Sequence, residues 1–348
     1  MTIELKDIHP SSAEALAGFR AGRAHFGNEK NPDPHHDAEE IEKEIKKSLD
    51  REDPHVLAWD GSEVVGESCL RRVHFEGMGH TAGLSVKASG PFQTTEFHRT
   101  LADAVLQRCR NAEIWRVEFS CLSSDESGML LARELNFQAD GCWPRARIID
   151  DRVEQSHHFS SILEFAPEVP EPRPDPVSTR SRIGGEVQII DATLSHAESL
   201  HAILDQVAME RRWIGKVRSP GVDRIRSFIK ANRESGHPHL IAVQGDRVLG
   251  WIDIIRYREK GAGHIGGLGM GLDPACRGMG LGTRLMEEAL EAARTQGLLQ
   301  VSLEVYANNQ AGCRLYRRFG FEETVLRRRI RRLDGHEEDL LGMSRSLD

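Results

Sequence analysis

The sequence lacks long apolar runs, an excess of positive charge and closely spaced cysteines. None of its apolar runs reaches the roughly 18 residues that a membrane-spanning helix needs, and its start has no apolar core of a secretory leader. The net charge of −8 excludes an overall basic field that would attract nucleic acid. The six cysteines show no C-x-x-C spacing. We therefore expect reduced thiols in a cytoplasmic protein, with neither membrane nor nucleic acid as a partner.

What the chain does have is length and ordinary composition. Its 348 residues, 39% hydrophobic and 29% charged, are enough for two globular domains. A charged, proline-rich run, APEVPEPRPDPVSTRS, lies near the middle and is typical of an extended linker. We therefore predict a first domain over residues 1–165, a linker over 166–184 and a second domain over 185–348.

The two halves share a repeat at an offset of 184 residues. His55 matches His239, and His80 matches His264 at the same offset. Further matches without any gap are Gly61 with Gly245, Gly66 with Gly250, Gly83 with Gly267, Leu101 with Leu285, and Phe137 with Phe321. One register over so many positions predicts two copies of one domain.

Each copy has the pattern of an α/β domain. An opening strand and helices precede a hairpin, with its turn at Asp60-Gly61 in the first copy and Gln244-Gly245 in the second. A central strand, a long helix, another strand, a short helix and closing strands follow. We predict a mixed, mostly antiparallel sheet flanked by helices in each copy.

The stretch IGGLGMGLDPACRGMGLG, residues 265–282, contains the strongest functional signal. It predicts a strand over Ile265–Leu272, a turn at Asp273-Pro274 and a helix that ends near Gly297. Glycines at a helix N-terminus let backbone N–H groups approach an anion, which the helix dipole also favours. The alternative is a tight turn that happens to be glycine-rich. A P-loop would need a Gly-Lys-Ser/Thr ending, which is absent.

The order Arg-x-x-Gly-x-Gly resembles the pyrophosphate loop of the GNAT superfamily of N-acetyltransferases. Arg277, Gly280 and Gly282 fill its fixed positions. The resemblance implies two tandem GNAT-type domains, the second catalytic, and acetyl-CoA as cosubstrate with no metal. It also implies a set of residues that bind the coenzyme: Met270, Leu272, Arg277, Gly278, Met279, Gly280, Leu281, Gly282 and Asn309. A bulge that separates the central strand from the next would expose the backbone of Met270 and Leu272.

The segment LEVYANNQAGCRLYRRFGF, residues 303–321, resembles a further GNAT segment that carries proton-transfer residues. Tyr316 fills the position of the tyrosine that protonates the coenzyme A thiolate, and Glu304 that of a general base. The alternatives are an ordinary half-buried aromatic residue and an exposed strand carboxylate. Asn309 fills the asparagine position, and it is also suited to begin a helix.

The first copy lacks these residues. At the offset of 184, Gln93, Glu96 and His98 stand where the loop has Arg277, Gly280 and Gly282, and the proton-transfer positions hold Ser120 and Ala132. A carboxylate at Glu96 would repel a diphosphate. We therefore predict a degenerate GNAT-like first domain with a structural role.

Weaker signals lie elsewhere in the chain. Glu210, Arg211, Arg212 and Trp213 follow an amphipathic stretch where this fold covers its acceptor site. They are candidates for recognising a charged group of the substrate. The alternative is that they form a solvated helix end with Trp213 in the core. The run RRRIRR at 327–332 resembles a nucleic-acid patch, but a solvated hairpin fits its alternation better. The pair His35-His36 suggests a metal site, but its Asn-Pro-Asp-Pro lead-in indicates a loop.

Together these features predict an acyl-CoA-dependent N-acetyltransferase that moves an acetyl group directly to a primary amine of a small molecule. The alternatives are a non-catalytic module that binds acyl-CoA or sequesters a ligand, and a protein N-terminal acetyltransferase. The sequence fits a monomer or a homodimer.

Overall fold

The computed structural model describes residues 3–21, 37–171, 173 and 185–348. The chain divides into two compact units, Met1–Val169 and Pro170–Asp348, and the division falls inside the predicted linker. His35-His36 and most of that linker lie outside the described residues.

The first unit contains a sheet with helices on its faces. Its elements are β1 (Ile3–Asp7), α1 (Ala13–Ala21), α2 (Ala38–Asp50), β2 (His55–Asp60), β3 (Glu63–Arg72), β4 (Thr81–Ala88), α3 (Thr95–Leu106), β5 (Arg116–Leu122), α4 (Glu126–Glu134), β6 (Gln138–Ile149) and β7 (Arg152–Ile162). The strand order is β1-β2-β3-β4-β5-β7-β6. Only β4 and β5 pair in parallel among the neighbours described. The sheet is therefore mixed and mostly antiparallel.

The second unit contains the same kinds of element in the same order. They are β8 (Gln188–Asp191), α5 (Ala197–Met209), α6 (Val222–Glu234), β9 (His239–Gln244), β10 (Arg247–Arg256), β11 (Ile265–Leu272), α7 (Leu281–Thr295), β12 (Gln300–Tyr306), α8 (Gln310–Arg318), β13 (Glu322–Leu333) and β14 (His336–Ser346). The strand order is β8-β9-β10-β11-β12-β14-β13, and β11 and β12 form the parallel pair. The predicted α/β class is confirmed.

The bulges and hairpin turns of the two sheets occur at positions that the repeat makes equivalent. The extra residue of a bulge is Val65 in β3 and Leu249 in β10, which occupy equivalent positions of the two halves. The hairpin turns use Gly61 and Gly245, with φ of 61° and 57°. Glycine adopts these left-handed angles without the steric penalty of a β-carbon. The tight turns predicted at these positions are therefore present in both units.

Two apolar layers sandwich the second sheet. The period of α7 places its buried side chains, among them Leu285, Met286, Ala289 and Leu290, on the face that packs against β10, β11 and β12. The helices α5 and α6 pack on the opposite face with Ile241 and Trp251. Helices therefore cover both faces of this sheet.

Candidate active site

The glycine-rich stretch joins β11 to α7 as the sequence predicts. A short 3-10 turn, Pro274–Cys276, follows β11, and the Asp273 side chain accepts a hydrogen bond from the Ala275 N–H at 2.9 Å. Gly278 and Gly280 then adopt φ of 76° and 83°. Gly280 is the residue before the first turn of α7, and no side chain caps the helix there. This conformation requires glycine, because a β-carbon would be strained at such angles.

The start of α7 leaves backbone donors available. The N–H groups from 278 to 282 donate to no other residue of the described part of the chain. The dipole of α7 adds partial positive charge at the same end. A β-carbon on Gly282 would lie 3.3 Å from Leu315 and 3.4 Å from Leu272, so glycine also lets the helix approach β11 closely. The arrangement is suited to hold an anionic group such as a diphosphate.

Arg277 connects this loop to the end of α5. Its guanidinium donates to Glu210 Oε2 at 2.9 Å and to the carbonyl of Leu272 at 3.2 Å. It also lies 5.7 Å from the centre of the Trp213 ring. Glu210 and Trp213, predicted on the acceptor side, are thus in contact with the predicted coenzyme loop.

The parallel strands β11 and β12 separate beside this loop. They pair only from Ile265–Gly267 to Gln300–Ser302, so the edge of β11 that carries Met270 and Leu272 has no partner strand there. The bulge predicted on β11 is wrong, because β11 pairs with β10 without a register shift from Gly266 to Leu272. The two strands diverge instead, which opens a gap in the sheet next to α7.

The candidate acid and base lie on opposite faces of the sheet at this gap. Tyr316 on α8 belongs to the apolar cluster that contains Leu303 and Val305 of β12, so Glu304 between them faces the other side. Tyr316 is 8% exposed, its ring meets Phe321 edge-on at 5.9 Å, and burial raises its pKa. Its hydroxyl has no hydrogen-bond partner among the described residues, which leaves the proton available to a ligand.

Glu304 is partly exposed and paired. Its carboxylate accepts from Arg327 of β13 at 3.1 Å. Burial, together with the charge of Glu304, raises the pKa of Tyr257 to about 12, which places this tyrosine in the same neighbourhood. The alternative of an exposed strand carboxylate is therefore also compatible with the contacts of Glu304.

The remaining predicted site residues each have a different contact in the structure. Asn309 caps α8, accepting from the Gly312 N–H at 3.0 Å. Arg211 forms an ion pair with Asp334 at 2.8 Å in the turn between β13 and β14. Arg212 is buried with its guanidinium 4.9 Å from the Trp213 ring, which itself packs in the core of the second unit.

The arginine run on β13 is not the solvated hairpin that the sequence suggests. Arg331 is completely buried and donates to Glu338 at 3.1 Å, and Arg329 pairs with Glu337. Burial is possible because each of these arginines finds a carboxylate on β14. Arg329 and Arg331 therefore form internal ion pairs, whereas Arg328 is exposed.

Sequence reasoning did not identify a row of side chains on the face that carries Glu304. Gly267, Gly269 and Gly271 alternate along β11, and Tyr257, Asp253 and Trp251 lie over them. The alternation of glycine in this strand is the signal that could have revealed an unusually bare surface.

Comparisons with known proteins identify the class. A model described as "Acetyltransferase (GNAT) family" matches residues 207–321, which include the loop, the gap and α8. The N-alpha-acetyltransferase RimI of Mycobacterium tuberculosis is 38% identical over 107 residues, which cover 30% of this chain and 66% of that protein. The mycothiol acetyltransferase of Geodermatophilus obscurus is 38% identical over 84 residues, 23% of this chain and 27% of that protein. The chain thus spans less than two thirds of each relative.

Solved structures of similar proteins align with about half of the chain. A ribosomal-protein-alanine N-acetyltransferase from Brucella melitensis is 25% identical with a TM-score of 0.44, covering 46% of this chain and 99% of its own. The structure of yncA from Salmonella typhimurium with its cofactor acetyl-CoA is 23% identical with a TM-score of 0.45, covering 47% and 94%.

The second unit therefore contains a domain of the GNAT acetyltransferase family, as its loop and short helix predicted. Among the described residues, no helix combines the length and the apolar character needed to cross a membrane.

Proposed function

We propose that the chain is an acetyl-CoA-dependent N-acetyltransferase that acts on a primary amine of a small molecule. The observation that carries this proposal is the set of unbonded N–H groups from 278 to 282 beside the gap between β11 and β12. Such donors suit the diphosphate of coenzyme A. The edge of β11 at Met270 and Leu272, which does not pair with β12, suits its pantetheine arm. Arg277 adds a charged contact at the same loop.

In the proposed reaction the amine nitrogen attacks the thioester carbonyl directly. Glu304 takes the proton that the ammonium must lose, through water where needed. The bond between carbon and sulfur then breaks, and Tyr316 gives its proton to the departing thiolate. Tyr316 is suited to this step because a phenol holds its proton at neutral pH, and burial raises its pKa further. No covalent enzyme intermediate forms.

A second candidate is acetylation of a protein N-terminus. It is favoured by the 38% identity with a relative named N-alpha-acetyltransferase. It is also favoured by the 12 residues from Glu304 to Tyr316, which resemble the separation of base and acid in ribosomal-protein N-acetyltransferases of the family. Peptide substrates would need an extended groove, whereas a small amine needs only the space beside the gap.

We also propose that the first unit does not bind coenzyme. The equivalent helix α3 is capped by Thr94, whose side chain accepts from the Phe97 N–H at 3.3 Å. Glu96 lies in its first turn and would repel a diphosphate. The unit would then have a structural role.

Thiol release tests the proposed function. The full chain is incubated with acetyl-CoA and a panel of small amines or of peptides with free N-termini, and free coenzyme A is measured. Release with small amines supports the first candidate, and release with peptides alone supports the second. Coenzyme binding in calorimetry without release from any acceptor would identify a non-catalytic binding module.

A further inference from the structure

Asp253 carries a carboxylate that has no hydrogen-bond or ion-pair partner among the residues the structure describes. It pairs with Gly269 across β10 and β11, and its two carboxylate oxygens lie 3.2 and 3.3 Å from the position that a Gly269 β-carbon would occupy. None of the described residues donates a hydrogen bond to this carboxylate or pairs with it within 4.0 Å. A partly buried carboxylate without a donor is unfavourable, so its retention points to a ligand.

Two aromatic side chains flank Asp253 on the same face. A β-carbon on Gly267 would lie 2.7 Å from the Tyr257 ring, and one on Gly271 would collide with the Trp251 ring. We call this row of Trp251, Asp253 and Tyr257 over the three glycines the amine trough. A carboxylate between aromatic rings suits an alkylammonium group, since both charge and ring faces attract a cation.

The amine trough lies beside the gap proposed to receive the thioester. The pairing of β11 with β12 ends at Gly267, and Gly269 is the next residue of β11 on the same face. Glu304 is on the same face as the trough, whereas Tyr316 lies in the cluster on the opposite face. An amine held over Gly269 would therefore reach the gap from the side of the candidate base.

A lysine lies on the segment that packs beside the amine trough. Lys216 is exposed and lies in the segment between α5 and α6, which packs through Trp213 and Ile214 against the same apolar cluster as Trp251. Its positive charge acts to lower the pKa of Asp253. It forms no ion pair with Asp253 within 4.0 Å. Burial outweighs this charge and raises the pKa of Asp253 to about 7. Because Asp253 and Lys216 are not paired with each other, each can bind the opposite charge of one ligand.

We propose that Asp253 binds the ammonium group of the acceptor over Gly269 while Lys216 binds an anionic group of the same molecule. The acceptor is then a small zwitterion of the amino-acid type. This proposal rests on the proposed function and specifies its substrate class. Neither a neutral amine nor a polyamine would use both charges of the site.

The first test compares matched acceptors in the full chain at saturating acetyl-CoA. Amino acids are compared with the amides of the same amino acids, which keep the amine and lack the anion. We expect Asp253→Asn to raise KM roughly 100-fold for both sets, since a hydrogen bond between charged groups is lost. We expect Lys216→Met to raise KM roughly tenfold for the acids and to leave the amides unchanged.

Matched controls are Asp246→Asn in the turn between β9 and β10 and Lys230→Met on the exposed face of α6, which should change neither KM. The dissociation constant of acetyl-CoA should stay unchanged in every variant. Wild-type activity with equal KM for acids and amides, or unchanged KM in Asp253→Asn, would overturn the proposal while leaving the proposed function intact.

A binding measurement keeps the two proposals separable if no acceptor is acetylated. Saturation-transfer NMR of the same amino acids with the coenzyme A-loaded protein should give signals for the wild type and none for Asp253→Asn. Absence of signals with the wild-type protein would refute the amine trough, whereas signals without thiol release would refute only the proposed function. Thermal unfolding of Asp253→Asn checks that the variant is folded.

Discussion

The two units have the same interruption in their sheets but differ in what surrounds it. In the first unit β4 and β5 pair from Thr81–Gly83 to Arg116–Glu118, and in the second β11 and β12 pair over the equivalent residues. Both pairs of strands then separate. The gap is therefore a property of the backbone architecture, and the side chains around it decide whether a ligand could use it.

The helix that begins beside the gap differs first. In the second unit α7 begins after a left-handed Gly280 with no side-chain cap. In the first unit α3 begins two residues earlier in the equivalent register, and Thr94 caps it. The same backbone element thus has a side-chain cap for one N–H group in the first unit and none in the second.

The sheet face differs as strongly. Where the second unit has Gly269 and Gly271, the first has Ser85 and Lys87, and where the second has Trp251 and Asp253, the first has Glu67 and Cys69. Glu67 is fully enclosed by donors. Arg20 donates to it at 2.5 and 3.2 Å, and His55 lies 3.0 Å from it. In the first unit this face contains an ion network with satisfied hydrogen bonds, whereas in the second it contains a carboxylate that pairs with none of the described residues.

The largest effect is expected from breaking that network. Glu67→Ala leaves the buried Arg20 without this counterion and should destabilise the first unit by about 3–5 kcal/mol. Chemical denaturation measures the loss, and Glu63→Ala at the exposed start of β3 is the control. The dissociation constant of acetyl-CoA should not change, and a large change in it would contradict a purely structural role of the first unit.

The same network predicts sensitivity to acid. Burial acts to raise the pKa of Glu67, but the hydrogen bond with His55 and the charge of Arg20 hold it well below its usual value. A lowered pKa in the folded state gives stability that is present above the ordinary pKa of about 4.3 and lost as pH falls through the folded value. Glu67→Ala should remove this part of the acid dependence.

A second prediction transfers one residue of the first unit into the second. Gly280→Glu, which installs the equivalent of Glu96, should weaken acetyl-CoA binding roughly 100-fold, because a carboxylate at the helix start opposes the diphosphate. Gly280→Ala strains the backbone without adding charge and should weaken binding about tenfold. Calorimetry measures both, and equal losses would mean that strain alone explains the effect.

The unpartnered carboxylate gives a third prediction. Burial raises the pKa of Asp253 to about 7. The folded state therefore loses stability relative to the unfolded state as pH rises from about 4 to 7. Asp253→Asn should therefore be more stable than the wild type by about 2 kcal/mol at pH 8 and equally stable near pH 4. Thermal unfolding at the two values tests this, and a destabilised variant at pH 8 would show that the carboxylate has a partner.

The smallest effect concerns the candidate acid. Tyr316→Phe removes the phenol hydroxyl, which the equivalent Ala132 of the first unit also lacks. It should lower kcat about tenfold or more and leave the dissociation constant of acetyl-CoA unchanged. Tyr306→Phe, another buried tyrosine of the second unit, is the control and should keep its activity. Unchanged turnover in Tyr316→Phe would remove this residue from the mechanism.

Much of this fold could be predicted because its signals are local. The turn glycines, the apolar period of α7 and the bounds of β11 depend on neighbouring residues, and all were found from the sequence. Asp253 was missed because its meaning depends on the glycine that β11 places opposite it. The ion pair of Arg277 with Glu210 joins residues 67 positions apart. The burial of Arg331 depends on Glu338 across a hairpin, which the sequence does not reveal.

The even ladder between β10 and β11 has a mechanical consequence. A strand held in continuous register along one edge cannot shift by a fraction of a residue to admit a ligand on its other edge. Any widening of the gap between β11 and β12 must then come from movement of β12 and of the hairpin of β13 and β14. The strands β10 and β11 stay in place and form the rigid side of the gap. Backbone amide hydrogens of β10 and β11 should exchange with solvent slowly and at similar rates, even where β12 and its neighbouring strands open locally.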